Sequence, residues 1–459
     1  MKRPLLFLLF LLCVPALDAA PALETKPADP FFAKFEPLAA PKVSGLFLRK
    51  NDRLAIIGDS ITEQKQYSRL VETYLTVCVP ELDITVRQYG WSGERVPGFL
   101  ARMTNDCLRF HPTVATTCYG MNDHEYRIYE ERIGKTYREK SEAMVQAFKA
   151  NHVRLVLGSP GCVGKMPGWV KGTNGTVEDL NLNLCTLRNI DIELAEKERV
   201  RFADVFWPML KAGFDARAKY GADYAIAGKD GVHPGWAGQT IMAYAFLKGL
   251  GVDGDIGTFT VDLKRNSAKA SKGHDVVSAQ NGEFTFRSRR YPLCATNDNL
   301  ASDNSIRSAM ALVPFNQELN RLMLVARGAK PGRYKVTWGA ATRSYSADEL
   351  SRGVNLAADF VQNPFCDACS AVERAVLAKQ EYETKQIKQI FHDLVSGRYK
   401  NVEDIKDPES KELFALKTAD GKFDREAIAE ATEKKRAPLA DRIKTSFVPV
   451  THTIQVVAE

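Results

Sequence analysis

From Arg53 to Leu250 the chain alternates short β-rich runs with stretches of helical apolar spacing, and this alternation restricts its fold more than any other feature. The β-rich runs are Arg53–Ile57, Ile84–Arg87, Thr113–Cys118, Arg154–Gly158 and Arg201–Val205. Between and after them, Tyr67–Leu75, Thr136–Ala150, Val177–Glu198 and Ala237–Leu250 carry apolar residues at helical spacing. A strand followed by a helix has room for the long crossover that parallel pairing needs. The expected fold class is therefore α/β, with a parallel sheet covered by helices on both faces.

The rhythm changes near Asp255. Phe259–Leu263, Asp275–Ser278, Gly282–Phe286, Arg321–Ala326 and Tyr334–Trp338 are short β-rich runs separated by Gly, Asn and Lys-Pro-Gly turns, which predicts a small β-rich domain over 256–362. Beyond Asn363, segments 371–395 and 424–444 are charge-rich with helical spacing, so 363–459 reads as a mainly helical C-terminal region with solvated charged faces. At the other end, Lys2 and Arg3 precede the apolar run Leu5–Leu12, and Ala20-Pro21-Ala22 offers small residues for cleavage. This predicts a secretory signal peptide over 1–22, hence a secreted or periplasmic protein. The apolar run ends by Leu17, short of the ~20 residues that a membrane span takes, and no later stretch is long enough, so no span is expected in the mature chain.

Composition narrows the function class. Across 459 residues, 45% are hydrophobic and 26% charged, which fits a folded globular protein and excludes disordered or collagen-like matter. The net charge of +7, from 63 basic and 56 acidic residues, is too mild for a dedicated nucleic-acid binder. Nine cysteines become eight once Cys13 leaves with the signal peptide, an even number suited to disulfides in an oxidising compartment. Cys366 and Cys369 are accordingly expected in a local or longer-range disulfide. No second ligand pair stands at zinc-site spacing, and no metal or cofactor is expected.

Four short motifs in the α/β region carry chemistry. Gly58-Asp59-Ser60 stands where the first strand stops and a helix begins, at the carboxyl edge where open α/β sheets bind ligands. A serine there presents a hydroxyl, and its own N–H is free to meet a developing negative charge. Asp230-Gly231-Val232-His233-Pro234 sets a carboxylate three residues before an imidazole, at a spacing that lets the acid orient the ring and stabilise its charged form. Gly90-Trp91-Ser92-Gly93 and Gly120-Met121-Asn122-Asp123 each follow a strand. Gly93 brings a backbone N–H close without a side chain in the way, and Asn122 offers an amide. Taken singly, each motif is a capping serine, a loop glycine, a turn asparagine or an incidental histidine; the set of four in this order is specific.

With these motifs, Ser60, Gly93, Asn122 and His233 with Asp230, the sequence resembles the SGNH (GDSL-type) hydrolase superfamily over about residues 51–250. The resemblance implies a three-layer α/β/α, flavodoxin-like hydrolase domain over 45–255 and ester hydrolysis without a metal. It implies a catalytic triad of Ser60, His233 and Asp230 and an oxyanion hole of the Ser60 N–H, the Gly93 N–H and the Asn122 amide. Gln88 departs from the asparagine that many relatives carry before the second motif, which bears on the hydrogen bonding around Gly93. Gly332–Val336 and Glu349–Leu356 resemble the C-terminal extension of multidomain SGNH proteins of planctomycete-type bacteria, and no functional residue transfers with that likeness.

The implied activity is that of a secreted serine esterase working through an acyl-enzyme. Asp59, Trp91 and His124, adjacent to the motif residues, are candidate substrate contacts. The Gly-rich segment 159–176 with Trp169, and Glu125 and Tyr126, supply a candidate rim. Aromatic and polar groups at a shallow edge suit an acylated carbohydrate better than a long acyl chain, so deacetylation of a carbohydrate is favoured. The competing readings are a lipase or acyltransferase on lipid or glycan acyl groups, and a carbohydrate-binding protein with a relic site. The sequence carries no signal for oligomeric state.

Overall fold

The structure, a computed structural model, describes residues 22–171, 175–295 and 299–459. The expected signal peptide, Cys13 included, lies outside the described residues apart from Ala22. No described helix is long and apolar enough to cross a membrane.

Five parallel strands form the first sheet: β1 (Arg53–Gly58), β2 (Thr85–Gln88), β3 (Val114–Cys118), β4 (Arg154–Gly158) and β5 (Arg201–Ala203), in the order β2-β1-β3-β4-β5. Along β1 successive side chains enter opposite cores. Leu54 and Ile56 pack with Leu70, Tyr74 and Phe246 on one face, and Ala55 and Ile57 with Phe99, Val145 and Phe148 on the other. This two-sided burial is why the parallel strands read as unbroken apolar runs. The connecting helices are α1 (Ser60–Glu63), α2 (Tyr67–Val77), α3 (Val96–Asp106), α4 (Glu131–Ala150), α5 (Val177–Glu198), α6 (Phe206–Tyr220) and α7 (Trp236–Gly249). The chain leaves β1 toward β2 on one side and β2 toward β3 on the other. The carboxyl ends of β1, β2 and β3 therefore meet at the switch point of the sheet, where this topology opens its binding crevice.

Two further sheets follow. One has the order β13-β10-β6-β7, built from β6 (Asp255–Asp262), β7 (Ser267–Ala270), β10 (Arg321–Arg327) and β13 (Val354–Asn355). The other, β12-β11-β14-β9-β8, is antiparallel throughout and uses β8 (His274–Gln280), β9 (Glu283–Ser288), β11 (Arg333–Trp338), β12 (Ala341–Ser346) and β14 (Val450–Ala458). Here the structure departs from the expected boundary at residue 362. The β-rich region takes its middle strand from 450–458, where His452, Ile454 and Val456 alternate inward. Between these strands, helix Cys366–Lys385 runs into a π-helix, Gln386–Leu394, and helix Arg425–Ser446 packs beside it.

These C-terminal helices dock on the α/β region. Ile387, Ile390, Phe391 and Leu394 enter the same apolar cluster as Ile57 and Phe99. The free edge of β2 is closed by side chains: Lys379 and Arg436 donate to the Val86 carbonyl, and Glu383 accepts from the Gln88 N–H at 3.1 Å. Unpaired edge groups are thereby satisfied without another strand. Lys379 also pairs with Glu72 at 2.8 Å and Glu383 at 3.0 Å, so the charges expected on solvated faces are here buried and paired.

The cysteines require a second correction. All eight described cysteines are free thiols and all are buried, Cys366 and Cys369 among them. Cys162, Cys185 and Cys369 sit in the apolar core as small hydrophobes, and the thiols of Cys78 and Cys118 donate to the carbonyls of Tyr291 and Ser159 at 3.4 Å each.

Candidate active site

Ser60 is the first residue of α1, directly beyond β1. The Asp59 carboxylate caps that helix, Oδ1 accepting from the Ile61 N–H at 2.9 Å. His233 comes from the loop between α6 and α7. Asp230 Oδ1 accepts the backbone N–H groups of Val232 and His233, each at 2.9 Å, which folds the loop into an Asx-type turn. That leaves Oδ2 for the ring, 2.7 Å from His233 Nδ1. Burial works against the charge on Asp230, but the two N–H groups and the ring outweigh it and hold the carboxyl below its ordinary range. A carboxylate only accepts, so Nδ1 donates to it and Nε2 is left to accept from Ser60 Oγ at 2.8 Å.

The second motif is shaped by two glycines. A Cβ on Gly90 would stand 2.2 Å from the Glu63 backbone nitrogen, so only glycine lets this loop lie against α1. Gly93 has φ +72°, the left-handed region, with open space where a Cβ would be. Its N–H, like that of Ser60, makes no hydrogen bond within the described residues. Glu63 Oε2 accepts both the Ser92 N–H at 2.6 Å and the Ser92 hydroxyl at 2.7 Å, tying the loop to the helix that carries Ser60.

Asn122 is set by three partners. Its Nδ2 donates to the Glu94 carbonyl at 3.0 Å and faces Asp59 Oδ2 at 3.4 Å, while Tyr126 donates to its Oδ1 at 3.2 Å, which fixes the orientation of the amide. Glu94 is held by a buried fork with Arg102, two bonds of 2.6 Å, and accepts from the Tyr119 hydroxyl. Burial, with Asp123 and Glu94 nearby, pushes Asp59 up to about 7 against the opposing Ile61 N–H. Gln88 resolves the departure noted in the sequence: its Nε2 donates to the Thr62 carbonyl at 2.7 Å, which ties the end of β2 to α1 as Ser92 ties the loop beyond it.

The structure thus joins Ser60, His233 and Asp230 directly and couples the Gly93 loop and Asn122 to them through Glu63, Glu94 and Asp59. It does not make substrate contacts of Asp59, Trp91 and His124. Asp59 is buried beneath Ser60 in the work of capping. His124 is wholly buried, its Nδ1 donating to the Met121 carbonyl at 2.5 Å, and burial lowers its pKa to about 4. The Trp91 ring faces the C-terminal π-helix, with His392 at 4.4 Å. Of the expected rim, Trp169 is half exposed, 5.7 Å from the His233 ring and 6.4 Å from Tyr126. Glu63, Glu94 and Arg102 escaped the sequence analysis, since nothing local marks them as partners of the loop. Among the described residues no group of three or more His, Cys, Asp or Glu side chains is placed to hold a metal ion.

Residues 56–241 match the GDSL-like Lipase/Acylhydrolase family. An acetylxylan esterase of Geobacillus stearothermophilus is 26% identical over 219 residues, spanning 44% of this chain and 95% of its own length. A solved structure described as a gut microbial diltiazem-metabolizing enzyme superposes with a TM-score of 0.69 at 22% identity, covering 91% of this chain and all of that one. At that coverage the shared architecture includes the β-rich sheets and helices as well as the α/β region.

Proposed function

We propose that the chain, whose residues 56–241 match the GDSL-like Lipase/Acylhydrolase family, is an ester-bond hydrolase of the SGNH/GDSL superfamily in which Ser60 is the nucleophile, His233 the general base and Asp230 the acid that orients the base. The observation that carries this is the continuous hydrogen-bond line from Ser60 Oγ through both ring nitrogens of His233 to Asp230, 2.8 and 2.7 Å long. In this reading His233 Nε2 takes the hydroxyl proton as Ser60 Oγ attacks the ester carbonyl, and Asp230 stabilises the imidazolium. The tetrahedral oxyanion is met by the N–H groups of Ser60 and Gly93 and by Asn122 Nδ2. The intermediate collapses as His233 returns the proton to the leaving alcohol. Water, deprotonated by the same nitrogen, then releases the acid from Ser60.

The proposed substrate is an acetylated carbohydrate outside the cytoplasm. Two observations support it: the likeness to an acetylxylan esterase over almost that enzyme's whole length, and the half-exposed Trp169 beside His233, an aromatic face suited to a sugar ring. The test compares acetate release from acetylated xylooligosaccharides with hydrolysis of p-nitrophenyl acetate and octanoate. Preference for the octanoate overturns the carbohydrate assignment, and a Ser60→Ala protein that keeps wild-type turnover overturns the nucleophile.

A further inference from the structure

A Cβ on Gly93 would meet open space and its N–H makes no hydrogen bond among the described residues, so the aim of that N–H depends on what holds its neighbours. On one side Arg102 fixes Glu94. On the other the fastening comes from far along the chain. Lys388 and His392 lie one turn apart on the π-helix Gln386–Leu394, whose opposite side is buried through Ile387, Ile390, Phe391 and Leu394. Lys388 Nζ binds Glu63 Oε1 at 2.7 Å, while the other oxygen of that carboxylate holds Ser92. The same ammonium stands 5.0 Å from the centre of the Trp91 ring, and the Arg102 guanidinium 5.1 Å from it. The His392 ring meets the Trp91 ring edge-on at 4.4 Å, and its Nε2 lies 2.6 Å from Asp106 Oδ2 at the end of α3. Trp91 and Ser92, the two residues before Gly93, are thus gripped by one helix face from the C-terminal region.

We propose that Lys388 and His392 are positioning residues of the oxyanion hole, so that the C-terminal region completes the ester-cleaving site rather than merely accompanying it. The proposal rests on the assignment of Gly93 as an oxyanion donor. A donor must stand within tenths of an ångström of where the charge develops, and small misplacements cost rate rather than binding. The Lys388–Glu63 pair is partly solvated, its side chains 28% and 19% exposed. Removing one partner of such a half-buried pair costs a modest amount of folding stability, between that of an exposed and a fully buried pair. Loss of rate well beyond what the lowered stability accounts for is therefore the signature that separates positioning from scaffolding.

The experiment compares the full chain with Lys388→Met, Lys388→Arg and His392→Gln. It measures kcat and KM on p-nitrophenyl acetate, the rate at which an organophosphonate labels Ser60, and the thermal midpoint. Lys388→Met is expected to lower kcat and the labelling rate by on the order of tenfold with KM nearly unchanged and only a small fall in midpoint, and Lys388→Arg to restore most of the rate. His392→Gln is expected to act in the same direction. Wild-type kcat and labelling in Lys388→Met overturns the proposal, as does a loss of rate that tracks a lowered midpoint. A Ser60→Ala control keeps the two assignments apart: if it stays active the nucleophile is wrong, whereas if it is dead and Lys388→Met is unimpaired only the positioning role falls.

Discussion

The α/β region and the β-rich region bury polar groups of opposite acid–base character. Around the switch point, burial pushes carboxyls up: Asp59 to about 7, Asp123 to about 6, and Asp191 well above its ordinary value. Between the other two sheets, burial pushes histidines down, His274 below its ordinary value and His452 to about 3. Those histidines form a one-way chain. Trp338 Nε1 donates to His452 Nδ1 at 3.1 Å, His452 Nε2 to Ser288 Oγ at 3.0 Å, Ser288 Oγ to His274 Nδ1 at 2.7 Å, and His274 Nε2 to the Ile256 carbonyl at 3.0 Å. Each histidine, and Ser288 between them, has one proton and one lone pair in use, so an added proton sets two donors against each other. The carboxyls near Ser60 serve backbone turns that present reacting groups; the histidines serve packing. Buried polarity shapes the turns around the Ser60–His233–Asp230 line in one region and the packing between sheets in the other.

The largest effect expected from this contrast is on rate. Asp230→Asn should reduce kcat on the order of 10⁴-fold and, because the folded protein holds this carboxyl below its ordinary range, should also make the loss of stability in acid slightly less steep. Steady-state kinetics and a pH series of unfolding midpoints check both halves. Next, Asn122→Ala should cost about 10²–10³-fold in kcat with little change in KM; a rise in KM at constant kcat would remove it from the oxyanion hole.

The third effect is on stability and reverses sign between regions. Histidines whose folded pKa is depressed, His452 to about 3 and His274 to below its ordinary value, leave the folded β-rich region with fewer protons than the unfolded chain once the pH falls below 6.5. Their contribution is whole above pH 6.5 and shrinks as the pH falls, for His452 until about 3, by up to about 1.4 kcal/mol per pH unit for each proton. Asp59 and Asp123, raised, contribute most in acid and lose that contribution as pH rises through about 6 to 7, while His124, at about 4, partly opposes them. Hydrogen exchange corrected for intrinsic rates should therefore show β9, β11 and β14 weakening before β1 and β3 between pH 7 and 5. A uniform response of all five strands would break the comparison. A smaller change is expected from Trp338→Phe, which strips the donor from His452 and should cost about 1–3 kcal/mol with activity at neutral pH intact. Smallest, Trp169→Ala should raise KM several-fold for acetylated xylooligosaccharides and leave p-nitrophenyl acetate nearly untouched; equal effects on both substrates would deny it a role in sugar contact.

What was legible in the sequence follows the range of the interactions. The strands of the α/β sheet were visible because burial on both faces writes them as apolar runs. The proposed Ser60–His233–Asp230 line was legible because Asp230 and His233 lie within one turn and Ser60 opens the helix just past a strand. Helix α3 was not, since Pro97 and Gly98 open it with breakers, and β12 was not, because its exposed edge position carries little apolar pattern. The charges of the C-terminal helices read as solvated because their partners, Glu72, the edge of β2 and the Trp91 loop, lie some three hundred residues away. The thiols read as disulfide partners because an even count in an exported chain carries no information about packing.

The placement of β14 ties assembly of the two regions to the direction of synthesis. The catalytic sheet has all five strands once residue 203 has emerged, and each is followed closely by the helix that covers it. The hairpins β8–β9 and β11–β12 emerge as separate ribbons, and the strand that bridges them arrives only with residues 450–458. The α/β sheet can pair its strands early, although its β2 edge and one apolar face wait for residues 379–436, whereas the two hairpins keep open strand edges until residues 450–458 pair with both. During that interval the two ribbons present unpaired backbone groups of the kind that invite wrong pairing.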